Sequence, residues 1–181
     1  MTKLPNIIRF VLVKLFPLIG EYRASLLLNS THSKSAYELW DFVAQQKLYI
    51  QDYWASWDSN QLDLAIAPGQ TLPPYKHGQS KDLQLTCQTT FLNNLVPSCA
   101  GAVPITLVQN DEQYYEDNWN DRYTKLAKNV MQHSAGLPCG IQVIAKPFKE
   151  ELVLRLMKEI ETICPFNHRS EISKQVDIYK E

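Results

Sequence analysis

The segment from Val130 to Ile160 constrains the fold most, because it contains a helix end, a tight turn, a strand and the start of a second helix. Gly136 is the residue type best suited to the left-handed turn that closes a helix. Residues 137–145 are mostly apolar, which predicts a strand covered on both faces. Pro147 ends that strand and presets the first turn of the next helix. This succession of elements indicates a layered α/β protein.

A long helix is predicted over residues 35–57. Ser35 and Glu38 form a capping-box pattern at its start. An aromatic and apolar stripe at helical spacing follows, and we interpret this stripe as core. The stripe consists of Trp40, Val43, Ile50, Trp54 and Trp57.

Strands and helices alternate after this helix. Strands are predicted over residues 61–67 and 102–108, and Pro104 places an edge or a bulge in the second strand. Helices are predicted over residues 78–94 and 111–130, from apolar residues at helical spacing.

Residues 4–28 are strongly apolar, although charged residues and Pro17 interrupt the run. This is a poor transmembrane span, which needs about twenty consecutive apolar residues, and a poor signal peptide. Asn6, Arg9 and Lys14 fall within an arc of about 140° on a helical wheel. Such a helix can lie in a membrane interface with its basic side chains extended to the headgroups. A buried helical hairpin is the alternative, and the pattern alone leaves both open.

Composition limits the function classes. A net charge of −1 argues against nucleic-acid binding, which normally requires a basic surplus. The four cysteines form no C-x-x-C pair and have no histidine at finger-like spacing, which argues against a zinc site. Reduced thiols in an intracellular, cytosol-facing protein are the simpler interpretation.

Residues 136–142, Gly-Leu-Pro-Cys-Gly-Ile-Gln, resemble the Gly-Leu-Pro-x-Gly-x-Gln signature near the C-terminus of amidase signature enzymes, which are serine hydrolases that cleave amides. Residues 62–68 and 94–104 resemble two upstream blocks of that family in the same order. Further similarity, to the fatty acid amide hydrolase branch, lies at residues 15–17, 28–30, 35–40 and 147–152. The resemblance covers nearly the whole chain from Leu4 to about Ile163, but only the C-terminal third or so of such an enzyme.

The resemblance implies a fold and a domain organisation. The fold is the C-terminal portion of the amidase signature fold, a mixed β-sheet covered by helices with an N-terminal helical-hairpin membrane cap. Residues 1–32 form the cap and residues 33–166 form an incomplete amidase domain. Residues 167–181 are charged and lack a clear period, which predicts a flexible tail. The protein is accordingly expected to be monotopic, membrane-associated and intracellular. The membrane-binding residues are Arg9, Phe10, Leu12, Lys14 and Phe16.

The catalytic residues of the family are a Ser-Ser-Lys set in a glycine- and serine-rich loop far upstream of the signature. No two of the six glycines here are adjacent and no Gly-Gly-Ser-Ser run occurs, so we expect no catalytic residue and no activity from this chain alone. Cys139 and His133 are close in sequence, but a structural cysteine and a surface histidine are the favoured interpretation. No metal or cofactor is implied.

The resemblance also implies an acyl-chain channel. Its expected lining residues are Leu27, Thr31, Cys87, Phe91 and Tyr123. Ordinary packing explains these positions equally well, since an acyl channel is itself an apolar interior surface.

The predicted function is therefore the C-terminal part of a membrane-associated serine amidase that hydrolyses fatty acid amides to a fatty acid and an amine. A non-catalytic lipid-binding protein or amidase partner is the alternative. Expected partners are membrane lipids and, in the complete enzyme, a fatty acid amide, with a homodimer left open and no nucleic acid.

Overall fold

The computed structural model describes residues 5–166, and the tail predicted over residues 167–181 lies outside them. The helices are α1 (Asn6–Leu18), α2 (Tyr22–Ser30), α3 (Ala36–Ser59), α4 (Gln88–Leu95), α5 (Arg122–Met131) and α6 (Glu150–Ile163). The strands are β1 (Leu64–Pro68), β2 (Cys99–Leu107) and β3 (Pro138–Ala145). Short 3-10 turns at Gln79–Lys81 and Gln84–Cys87 precede α4.

The three strands form one sheet with β3 in the centre, antiparallel to both β1 and β2. The predicted strand over residues 137–145 is confirmed, and residues 142–145 are all buried. The expected mixed sheet is corrected: pairing is antiparallel throughout the described residues. An apolar run indicates burial on both faces, and helices supply that burial to antiparallel strands as well as to parallel ones.

The edge position predicted for Pro104 is also confirmed. Strand β2 pairs with β3 on one side only within the described residues, and its register shifts between Pro104 and Thr106. Proline has no N–H to donate to a ladder, so it is accommodated at such an irregularity.

Side chains of β3 alternate between two covered faces, as strand geometry requires. Val143 and Ala145 form a core cluster with Val153 of α6. Gln142 points to the opposite face, where its side chain contacts α4. The central strand is thus enclosed between α6 and α4.

Gln142 joins three elements through its side-chain amide, which is buried. Its Nε2 donates to the carbonyl of Pro68 at 3.0 Å and to the carbonyl of Thr89 at 2.8 Å. Its Oε1 accepts from Nδ2 of Asn93 at 2.7 Å. The last residue of β1 and two residues of α4 are therefore fixed to the central strand.

The two glycines of the 136–142 motif meet different structural requirements. A Cβ on Gly140 would lie 2.7 Å from the backbone oxygen of Val103, so only glycine allows β2 to approach this closely. Gly136 has φ +81°, the left-handed conformation predicted for it, but it does not close α5. It lies in the turn in which the Leu137 N–H donates to the Ser134 carbonyl at 3.0 Å.

Two helices are shorter than the lengths predicted from the spacing of apolar residues. The helix expected over residues 111–130 begins only at Arg122, because Asp121 caps it by accepting from the Thr124 N–H at 2.8 Å. The helix expected over residues 78–94 is divided into 3-10 turns and α4. There the Thr86 hydroxyl donates to the Leu83 carbonyl at 2.7 Å, a local bond that competes with helix geometry.

The capping box of α3 is confirmed, since the Ser35 side chain accepts from the Glu38 N–H and the Glu38 carboxylate accepts from the Ser35 N–H. The interpretation of its aromatic stripe as core is wrong for the first half of the helix. Trp40 is 71% exposed, whereas Trp57 near the other end is 4% exposed. Apolar spacing identifies the apolar face of a helix but does not show whether another element covers it.

Helices α1 and α2, here called the N-terminal helix pair, pack against each other. The chain turns at Gly20, at φ +83°, and the Glu21 N–H donates to the Phe16 carbonyl, as in a Schellman motif. Pro17, which interrupts the apolar run in the sequence, lies inside the last turn of α1. Because proline cannot donate to the carbonyl four residues earlier, that carbonyl, on Val13, accepts instead from the Ser25 hydroxyl at 2.7 Å.

Replacing Gln142 by Leu should destabilise the protein by about 3 kcal/mol, because two buried backbone carbonyls lose their donor. The free energy of unfolding in urea, followed by circular dichroism, measures this. Gln51→Leu, an exposed glutamine of α3, is the matched control and should change stability by less than about 0.5 kcal/mol. Equal effects of the two substitutions would show that the Gln142 bonds contribute nothing specific.

Candidate functional site

A cavity of about 190 Å³ lies between α2 and the start of α5. Its apolar lining consists of Ala24, Leu27, Leu85, Tyr123 and Leu126. Charged side chains also line it, from Glu21, Arg23, Lys81, Asp82, Asp121 and Arg122. The cavity therefore offers apolar contact together with more charge than the few polar groups usual in a small-molecule site.

Arg23 of α2 fixes the position of this cavity by pairing with two carboxylates. Its Nε donates to Oδ2 of Asp121 at 2.8 Å, and its Nη2 donates to Oδ2 of Asp117 at 2.5 Å. The same Nη2 donates to the Thr124 hydroxyl at 2.9 Å. The Asp121 side chain is 1% exposed, so this ion pair is shielded from water and screened little by salt.

Aromatic rings complete the contact between α2 and α5. The Arg23 guanidinium lies 4.8 Å from the ring centre of Tyr123, a cation–π distance. Tyr22 stacks on Trp119 with ring centres 4.9 Å apart. The N-terminal helix pair is therefore attached to the rest of the described chain by charge, hydrogen bonds and stacking at one location.

The ionisation of two side chains reflects this environment. Desolvation raises the pKa of Asp117, but hydrogen bonds from Thr124 and Arg23 lower it more, and the net pKa is well below the ordinary value. Desolvation, aided by Tyr115, raises the pKa of Tyr123 to about 12. The site thus holds a carboxylate and a neutral phenol at physiological pH.

The structure brings together two of the five predicted channel residues. Leu27 and Tyr123 line the cavity, whereas the cavity lining does not include Thr31, Cys87 or Phe91. Thr31 is exposed and its hydroxyl donates to the Leu28 carbonyl at 3.1 Å. Cys87 is half-buried and Phe91 is 49% exposed. The channel role of all five residues stays a prediction.

Arg23, Asp117 and Asp121 are the residues that sequence reasoning missed. A partial signal existed, since Asp121 stands three residues before Thr124 in an N-cap pattern. No sequence signal connects Arg23 with acidic residues more than ninety positions away. That pairing exists only in the folded chain.

The five predicted membrane-binding residues lie on different sides of α1. Phe10 and Lys14 are exposed, and Lys14 Nζ lies 4.5 Å from the Phe10 ring centre. Leu12 and Phe16 are half-buried, and Arg9 is buried. Their contact with a membrane stays a prediction.

Other apolar side chains form the most exposed strip of α1, within an arc of about 100°. The strip, here called the apolar face of α1, consists of Ile7, Ile8, Val11, Leu15 and Leu18. Ile7 is 80% exposed and Leu18 is 82% exposed. None of the helices described in residues 5–166 is both long and apolar enough to cross a bilayer.

Cys139 lacks the features of an activated nucleophile. Burial, aided by Glu112, raises the pKa of its thiol, so the reactive thiolate is disfavoured at neutral pH. His133 is exposed at φ +66°. Within the part of the chain that the structure describes, no group of three His, Cys, Asp or Glu residues is arranged to hold a metal ion.

Comparison with known proteins identifies related sequences. The family model described as Amidase matches residues 21–154, more than half of the chain. Fatty-acid amide hydrolase 1 of Sus scrofa is 28% identical over 164 residues, which are 88% of this chain and 27% of the relative. Fatty acid amide hydrolase 1 of Caenorhabditis elegans is 28% identical over 159 residues, 86% of this chain and 27% of the relative. The chain thus spans about a quarter of the length of these curated relatives.

The depressed pKa of Asp117 predicts acid sensitivity with a defined sign. Its carboxylate stabilises the folded state fully above the unfolded pKa of about 3.9, and this contribution is lost as the pH falls below that value. Urea midpoints measured from pH 6 to pH 2.5 should therefore fall less steeply for Asp117→Asn than for the unsubstituted protein. Asp111→Asn, an exposed residue of the same loop, should retain the original slope, and a parallel slope for Asp117→Asn would contradict the assignment.

Proposed function

This chain belongs to the amidase family, and from that premise we propose that it is the C-terminal part of a membrane-associated serine amidase. The reaction is hydrolysis of a fatty acid amide to a fatty acid and an amine. The resemblance of residues 136–142 to the family signature supports this assignment, as does the similarity to two fatty acid amide hydrolases. The chain contributes a membrane-docking cap and part of the acyl-channel wall.

The observation that carries the proposal is the position of the cavity beside the N-terminal helix pair. Leu27 of α2 lines the cavity, and α2 packs on α1, which exposes its apolar face. A fatty acid amide partitions into a bilayer, so an acyl chain would pass from the membrane surface into the cavity along these helices. The Arg23 ion pairs hold α2 in place beside that cavity.

Docking of α1 at the membrane surface is favoured mainly by apolar contact. Burying one large apolar side chain contributes at most about 1.5 to 3 kcal/mol, and five such residues form the apolar face of α1. Lys14 contributes about 1 kcal/mol near anionic headgroups. The apolar contribution dominates, so association should persist at high salt, as expected for a monotopic protein on the cytosolic side of a membrane.

In this proposal the hydrolytic step belongs to other residues of the complete enzyme. Attack on an amide carbonyl needs an activated hydroxyl, a base that takes its proton, and donors for the oxyanion. The Ser-Ser-Lys set that the family uses has no counterpart among these 181 residues. This chain supplies binding and orientation, and water supplies the hydroxyl group of the released acid.

A second candidate function is that of a non-catalytic partner that binds lipid or completes an amidase core. The exposed aromatic and apolar side chains on the first half of α3 favour it, because they form an interaction surface. They include Tyr37, Trp40, Phe42 and Val43.

The folding of the isolated chain distinguishes the two versions of this second candidate. A monomer with a sharp cooperative melt in detergent-free buffer supports independent lipid binding, whereas stable folding only beside an amidase core supports the partner role.

Triple substitution of Ile7, Val11 and Leu18 by Asp should abolish sedimentation of the chain with phosphatidylcholine and phosphatidylserine vesicles. These residues are exposed, so the folded state is retained while the apolar contact is lost. Leu48→Asp, at a 62% exposed leucine of α3, is the control and should bind as before. Release of the unsubstituted chain by 0.5 M salt alone would mean that charge, not apolar contact, holds it.

Leu27→Trp should weaken binding of a fluorescent long-chain fatty acid amide by about tenfold, because the larger ring fills a cavity of about 190 Å³. Leu26→Trp is the matched control, since Leu26 is adjacent, 55% exposed and outside the cavity lining. Fluorescence titration gives both affinities, and amine release is assayed in parallel. Equal affinities would place the acyl chain elsewhere. Amine release by this chain alone would contradict the claim that it lacks the catalytic residues.

A further inference from the structure

A second cavity, of about 310 Å³, lies between the first half of α1 and the end of α2. Its lining includes Arg9 and Phe10 from α1 and Asn29, His32 and Ser33 from the other side. The proposed amide reaction and the acyl channel make no use of this cavity. We propose that it binds a phosphate group, with Arg9 as the central ligand.

Arg9 is a buried charge that has no counterion among residues 5–166. It is 9% exposed, and its side chain donates to the neutral Oδ1 of Asn6. Within residues 5–166 it forms no ion pair. A guanidinium has five N–H donors and cannot lose its charge, so burial without an anion is costly. An anion in the cavity offsets that cost.

Arg23, a half-buried arginine of the same helix pair, has anionic partners. Its side chain, 17% exposed, is paired with Asp117 and Asp121. The lining of the second cavity contains no acidic side chain at all. The arginine that is more deeply buried therefore lacks the carboxylates that the other one has, and an external anion would take their place.

The remaining lining groups favour phosphate over a carboxylate. The Asn29 amide and the Ser33 hydroxyl are further donors beside the guanidinium. The His32 Nδ1 donates to the backbone carbonyl of Asn29 at 3.1 Å, a bond that does not involve the Asn29 side-chain amide. A guanidinium takes two anion oxygens in a bidentate pair, and the additional donors require a third. Phosphate has that third oxygen and a carboxylate does not.

Two sources can supply such a phosphate: a phospholipid headgroup or a free phosphate ester. Phe10 lines the cavity and is 61% exposed, so an acyl chain has an apolar surface beside the anion site. The headgroup source rests on the proposed membrane docking, whereas the anion site itself does not. Solution and vesicle measurements separate the two.

In solution, we expect glycerol 3-phosphate and inorganic phosphate to bind the full chain and raise its melting temperature, with acetate much weaker. Arg9→Gln should weaken phosphate binding at least about tenfold by calorimetry. Lys47→Gln removes the same charge from an exposed position of α3 outside the cavity lining and should leave phosphate binding unchanged. Equal losses in the two variants, or no phosphate binding by the unsubstituted chain, would overturn the proposal.

Asn29→Asp tests the site without removing the arginine. The substitution places a carboxylate in the lining beside Arg9, so it should raise the melting temperature and abolish the response to phosphate. A destabilised variant, or one that still binds phosphate, would show that the cavity does not require an anion. This arm remains decisive if Arg9→Gln does not fold.

Vesicles then identify the source. Arg9→Gln should reduce sedimentation with phosphatidylcholine vesicles several-fold and leave sedimentation with phosphate-free galactolipid vesicles unchanged. Failure of the unsubstituted chain to bind either vesicle would refute membrane docking, while the solution measurements still decide the anion site. Binding to free phosphate with no Arg9 effect on phosphatidylcholine assigns the site to soluble phosphate esters.

Discussion

Gln142 presents a polar amide from the middle of the buried central strand, and an unpaired amide there would be strongly destabilising. Its three hydrogen bonds, to Pro68, Thr89 and Asn93, remove that cost and fix β1 and α4 relative to β3. Gly140, two residues earlier, allows β2 to lie against the other side of the strand. The Gly-Leu-Pro-x-Gly-x-Gln motif therefore has a structural role in this chain, since it holds the sheet together.

The N-terminal helix pair contains two arginines that are shielded from water in different surroundings. At Arg23, two carboxylates and two aromatic rings fix α2 on α5, and this contact forms one wall of the Leu27 and Tyr123 cavity. At Arg9, the groups that contact the buried charge within residues 5–166 are neutral. The Arg23 guanidinium thus donates to acceptors within the chain, whereas in our proposal the Arg9 guanidinium donates to a bound phosphate.

Apolar surface is distributed unevenly over the described residues. Two core clusters exist, one around Val143 and Val153 and one around Leu83 and Ala127. Meanwhile α1 and the first half of α3 expose many large apolar side chains. Exposed strips of this kind indicate interaction surfaces. In the proposed function the strip on α1 contacts lipid. The strip on α3 is the feature that favours the second candidate function, a non-catalytic partner.

The sequence by itself determined local features, because they depend on neighbouring residues: the Ser35 capping box, the left-handed Gly136, the buried strand over 137–145 and the irregularity at Pro104. It also determined the family, through motif order. Sequence placed Leu27 and Tyr123 in the candidate site, but it did not reveal Arg23. Tertiary structure alone decided that pairing, the exposure of Trp40 and the burial of Arg9. Each of these depends on contacts between residues far apart in the chain, or on their absence from the described residues, and periodicity carries no information about either.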